Sequence, residues 1–128
     1  MTGLNDARLN GDSATAREAY ADALDLVFRA FHEVSPAAPV LVIEQPHIGD
    51  YSGYEPFHRA SDVVVDAYNA TLRQAASRHP ATSVVAVPGW DVDTMVSADG
   101  VHPNDAGHRH LAQAVVRTAS SWDFSPTG

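Results

Sequence analysis

Two short runs, Val40-Leu41-Val42-Ile43 and Ser83-Val84-Val85-Ala86-Val87, carry no charge and are rich in β-branched residues. Such runs read as strands buried on both faces, and strands of that kind belong to parallel sheets covered by helices on each side. The surrounding pattern agrees. Thr15-Ala16-Arg17-Glu18 fits a capping box for a helix running to about Val34, with Tyr20, Ala23, Leu24, Val27, Phe31 and Val34 as its apolar face. Pro36 and Pro39 end it. A second helix is expected from Ser61 to about Arg78, with Val65, Tyr68, Leu72 and Ala75 or Ala76 facing inward. After Pro88-Gly89 stops the second strand, a third helix is expected from Asn104 or Asp105 to about Ser121. Residues 1–6 are too short to read as a strand of their own, and residues 7–14 are polar and turn-like.

Helices alternating with apolar strands predict α/β architecture with parallel strands joined by crossovers. Ligands of such sheets bind beyond the carboxyl ends of the strands. Asn5, the loop after Glu44 and the loop holding Asp99 and His102 are all expected at that edge. The loop from Gln45 to about Ala60 is long for a compact domain, as expected of a segment that covers or shapes a site. Its Tyr51, Tyr54 and Phe57 either wall an acyl or aryl pocket or simply pin the loop down.

Asp99-Gly100-Val101-His102-Pro103-Asn104 is the stretch with the clearest chemistry. A carboxylate three residues before an imidazole can accept from one ring nitrogen, fix the tautomer and leave the other nitrogen free to take a proton. Pro103 disfavours helical dihedrals at His102, and Asn104 is a good N-cap for the helix that follows. Read without other context, the pair is better taken as a turn carboxylate and a loop histidine.

Charge and composition exclude several classes. The 128 residues hold 16 acidic side chains against 8 arginines and no lysine, a net charge of −8. Such a chain is a poor partner for nucleic acid or an anionic membrane surface. No apolar run approaches the ~18 residues of a membrane span. The absence of cysteine excludes thiolate chemistry and leaves the compartment open. Met1 is followed by neither a basic nor an apolar leader segment, so no export signal is read here. His108 and His110, two apart on a helix, point to nearly opposite sides and do not form a metal face with His102. No metal and no cofactor is expected. His47 and His58, in the long loop, are assigned no role.

Two blocks together resemble the SGNH, or GDSL-type, esterase and lipase family. Gly3-Leu4-Asn5-Asp6 is similar to that family's Gly-x-Asn-Asp block, and Asp99-Gly100-Val101-His102-Pro103 to its closing Asp-x-x-His-Pro block. The resemblance implies a flavodoxin-like three-layer α/β/α fold with a parallel sheet. It implies acyl transfer from a small-molecule carboxylic ester, with His102 as general base, Asp99 as its orienting carboxylate and the Asn5 amide as an oxyanion-hole donor. The family's nucleophile, the serine of a Gly-Asp-Ser motif ending the first strand, has no counterpart ahead of Gly3. Residues 1–128 therefore read as one SGNH-type domain, partial at its N-terminus.

Gly11-Asp12-Ser13 spells the nucleophile motif, but no apolar strand precedes it to aim the serine, and Ser13 reads as a helix cap or turn residue. The other reading is a non-catalytic, shortened α/β module or pseudoenzyme that acts as an interaction partner. With two strands alone, self-association through the exposed sheet edge is expected.

Overall fold

The computed structural model describes residues 2–53 and 55–122. The elements run α1 (Leu4–Asn10), α2 (Ala14–Val34), β1 (Val40–Ile43), α3 (Asp62–Ala76), β2 (Thr82–Val85), α4 (Val92–Met95) and α5 (Asp105–Ser120). The strands pair in parallel, Val40 opposite Thr82 and Ile43 opposite Val85.

Side chains alternate across a strand, so Val40, Val42 and Val84 share one face of this sheet and Leu41, Ile43 and Val85 the other. The first face packs against the main core, where Tyr20, Leu24 and Phe28 of α2 meet Tyr68, Leu72, Ala75 and Ala76 of α3. Helix α5 lies against both strands. Its distal end reaches the second face, where the Trp122 indole N–H donates to Ser83 Oγ at 3.0 Å. The result is a helix–sheet–helix sandwich around a parallel sheet.

The sequence reading of α3 holds residue for residue: Val65, Tyr68, Leu72, Ala75 and Ala76 are all buried. Ser61 caps it by accepting from the Val64 amide, and Asn104 caps α5 by accepting from the amides of Ala106 and Gly107.

Other expectations change. The strands are half-buried rather than buried on both faces, with Val85 the exception, because among the described residues each strand has a single neighbour. The second strand is also shorter than its apolar run. The N-cap of α2 is Ser13, whose Oγ accepts from the Ala16 amide at 3.1 Å; Thr15 lies inside the first turn and makes no capping box. The inward face of α2 is Tyr20, Leu24 and Phe28, while Val27, Phe31 and Val34 stand exposed beside Ala23. Both stripes have helical spacing, and the partner α3 decides which one is covered.

Residues 4–10 form a helix where a turn was expected. It starts from Gly3 at φ 100° with no side-chain cap. A Cβ on Gly3 would lie 2.6 Å from Tyr20 Oη, so the glycine of the Gly-x-Asn-Asp block is required by a buried tyrosine as well as by its dihedral. Burial pushes that phenol up to about 12. In the stretch expected as loop between Pro88-Gly89 and the helix starting at Asn104 or Asp105, Asp91 caps the single turn α4 by accepting from the Asp93 amide.

Candidate active site

The segment between α4 and α5 is a tight loop closed on itself. Val96 and Pro103 form an antiparallel bridge, and the Ser97 amide donates to the His102 carbonyl at 2.8 Å. Within it Asp99 Oδ1 accepts from Ser97 Oγ at 2.7 Å, the Val101 amide at 2.8 Å and the His102 amide at 2.9 Å. Its other oxygen, Oδ2, lies 2.7 Å from His102 Nδ1. The His102 amide first, then the Val101 amide, the His102 ring and the Ser97 hydroxyl hold the Asp99 carboxyl well below the usual carboxylate range. An ionised carboxylate can only accept, so Nδ1 carries a proton, and in the neutral ring Nε2 is the nitrogen left to accept one. The pair stands largely in solvent, the His102 side chain 77% exposed and that of Asp99 51%.

His102 lines a cleft of about 440 Å³ with Val101, Pro103, Gln45, Arg8 and residues 2–6, Asn5 included. The three features expected at one sheet edge therefore share one cavity. Gln45 lies two residues beyond the end of β1, and Asn69 fixes its backbone by accepting from its amide at 2.9 Å and donating to its carbonyl at 2.8 Å.

Ser13 is not among these lining residues; it stands in a separate cavity with Asp6, Asn10 and Tyr20. The hydroxyl that does line the His102 cleft belongs to Thr2, which interacts with the Tyr20 phenol.

Sequence reasoning did not find Arg8, Gln45 or Thr2, whose part in the cleft depends on contacts far apart in the chain. Tyr51 pins the long loop: its hydroxyl donates to Asp62 at 2.7 Å and accepts from the Ile48 amide at 3.2 Å. Neither Tyr51 nor Phe57 lines the cleft, and Tyr54 lies outside the described residues.

A second imidazole–carboxylate pair lies beyond Gln45, His47 Nε2 to Asp66 at 2.8 Å, in a cavity shared with Trp90. His110 Nε2 lies 2.9 Å from the Pro88 carbonyl oxygen. Among the described residues no three histidine, aspartate or glutamate side chains are grouped to hold a metal ion. No helix there is long and apolar enough to cross a membrane.

Residues 1–110 match the GDSL-like lipase/acylhydrolase family. The chain belongs to that family. Among curated proteins none matches the sequence. A solved structure from Streptococcus pneumonia, described provisionally as a platelet activating factor, superposes with a TM-score of 0.69 at 15% identity, over 92% of this chain. The likeness establishes the SGNH-type fold, with its parallel sheet between helices. This GDSL-like chain spans 56% of that neighbour's length. Family membership supports ester or acyl hydrolysis as the general chemistry.

Proposed function

We propose that residues 1–128 form one partial SGNH-type domain supplying the base half of a serine hydrolase that acts on small carboxylic esters. The observation that carries this reading is the Asp99–His102 pair, joined at 2.7 Å, in one cleft with Asn5.

In the proposed mechanism His102 Nε2 takes the proton of a serine hydroxyl as that oxygen attacks the ester carbonyl. Asp99 holds the ring in the tautomer that can accept, and stabilises the imidazolium that forms. The negative charge on the tetrahedral intermediate accepts from the Asn5 amide, a donor worth roughly 3–4 kcal/mol in such sites. His102 then returns its proton to the leaving alcohol. Water, deprotonated by the same nitrogen, cleaves the acyl-serine. In this reading the serine is one that the described residues do not supply: among them none lines the cleft, and Ser13 is engaged as the α2 cap.

The 128-residue chain alone is therefore expected to leave a short-chain p-nitrophenyl ester at its buffer rate, and measurable turnover would overturn the external nucleophile. Joined to an apolar strand ending in Gly-Asp-Ser, sought in frame upstream of the Met1 codon, it is expected to turn that ester over and to lose the activity with His102→Ala. If the joined protein is inert, the second reading stands: a non-catalytic module that binds a partner. The exposed stripe of Val27, Phe31 and Val34, and strands that each have a single neighbour among the described residues, favour that reading.

Those same surfaces make self-association the expected behaviour of the isolated chain. Sedimentation as a monodisperse monomer with a cooperative melt would contradict it.

A further inference from the structure

The loop between β1 and α3 has neither helix nor strand from Gln45 to Ala60 among the described residues, yet its backbone is tied at both ends to the two sides of the cleft. At one end the amides of Gly49 and Asp50 both donate to the Gly100 carbonyl, at 2.8 and 2.9 Å. Gly100 immediately follows Asp99 and sits at φ 73°. A Cβ there would lie 2.7 Å from Asp50 Cβ and 3.3 Å from its amide nitrogen, so the two backbones touch with no room for a side chain.

At the other end the Arg59 amide donates to the Arg8 carbonyl at 3.0 Å, and Arg8 Nε donates to the Phe57 carbonyl at 3.3 Å. Arg8 is on α1, three residues after Asn5 and on the same side of the helix. Further bonds hold the segment next to the first tie. Asp50 Oδ1 accepts from both the amide and the hydroxyl of Ser52, which closes a turn, and Tyr51 is bound to Asp62 of α3.

We propose that the two tied segments, residues 48–52 and 57–59, act as a fixed brace that sets the separation between the Asn5 amide and the His102 ring, with Gly100 and Arg8 as its positioning residues. The proposal rests on the catalytic reading of Asn5 and His102 for its meaning, but not for its test. A brace of this kind differs from a lid. Substrate enters a cleft already formed, and the geometry between base and oxyanion donor is set before binding, as electrostatic stabilisation of a transition state requires. Glycine at position 100 is favoured twice over, by its left-handed backbone at φ 73° and by the contact with Asp50.

The test is amide hydrogen exchange by NMR on the 128-residue chain, with the downfield His102 Nδ1–H resonance as a signature that ordinary loss of packing elsewhere would not move. In the parent, the Gly49, Asp50 and Arg59 amides are expected to be protected. Gly100→Ala is expected to speed exchange at Gly49 and Asp50 roughly tenfold and to broaden the Nδ1–H signal, while Val65 and Leu72 in α3 keep their rates.

Arg8→Ala is the decisive variant, since it removes the side-chain half of the far tie, the bond to the Phe57 carbonyl, and leaves only the Arg8 carbonyl to hold Arg59; it also keeps the experiment informative if Gly100→Ala fails to fold. A brace transmits that loss, so Gly49 and Asp50 are expected to exchange faster along with Arg59. Faster exchange at Arg59 alone would show two unrelated local contacts and overturn the proposal, as would unprotected Gly49 and Asp50 amides in the parent. An inert enzyme would sink the catalytic reading and leave these rates untouched.

Discussion

Gly107→Ala is expected to destabilise the protein by about 3 kcal/mol, although alanine is the better helix former by roughly 1 kcal/mol. Gly107 is the third residue of α5, where the helix crosses the loop that carries Asp99 and His102. A Cβ built there falls inside the contact distance of the Met95 carbonyl oxygen and lies 3.0 Å from both Pro103 Cβ and the Trp90 ring. The flexible end of a side chain could move aside, but a backbone carbonyl cannot do so cheaply. Met95 is doubly held, because its carbonyl accepts from the Asn104 amide and its own amide donates to the Asp91 carbonyl. The added methyl must therefore lift the start of α5 away from α4, disturbing the Val96–Pro103 bridge that closes the loop holding Asp99 and His102. Thermal unfolding followed by circular dichroism should show a midpoint lower by roughly 10 °C for a chain of this size. An unchanged or raised midpoint would mean that propensity wins and that the contact is relaxed in solution.

The same stretch shows what the sequence could and could not reveal. Asp99 and His102 are legible because their chemistry is local: three residues apart, a carboxylate reaches both the following amides and the ring. Caps at Ser61 and Asn104 are legible for the same reason. Helix α3 has one apolar stripe, so its inward face follows from spacing alone. Helix α2 has two, Tyr20-Leu24-Phe28 and Ala23-Val27-Phe31-Val34, and spacing cannot say which of them α3 will cover. Helix α1 escaped because Asn5 and Asp6 are turn formers and its N-cap is a left-handed glycine with no side chain to signal a start. The brace was illegible for a different reason. Its ties are backbone amides and carbonyls, which any sequence possesses, and Arg8 meets Phe57 across 49 positions. A long loop told only that something was being shaped.

Asp99→Asn is expected to abolish turnover in the serine-bearing protein, by about 10⁴-fold in kcat, while leaving the loop folded. The two oxygens of Asp99 have different partners. Oδ1 accepts from Ser97, Val101 and His102, and an asparagine carbonyl can keep those three bonds. Oδ2 faces His102 Nδ1, and in the variant that place is taken by an amide NH2. Two donors cannot share a hydrogen bond, so the ring must turn its lone pair towards that NH2 group and carry its proton on Nε2. The nitrogen facing the substrate then has nothing with which to take a proton. In the 128-residue chain the same change reads out without hydrolysis, as loss of the downfield Nδ1–H resonance with the backbone signals of Val101 and His102 little moved. Asp99→Ala removes the loop anchor too and is expected to shift those backbone signals as well. The pH dependence has a definite sign. Because the folded carboxyl titrates below its unfolded value, it contributes stability that is fully present above the ordinary carboxylate range and is lost only as pH falls through the lowered value. The loop should stay ordered near pH ~4, where unperturbed aspartates take up protons, and the stability gap between parent and Asp99→Asn should narrow only in stronger acid. Turnover of Asp99→Asn within about tenfold of the parent would mean that the tautomer is fixed by something other than this carboxylate, and that Asp99 serves the loop rather than the ring.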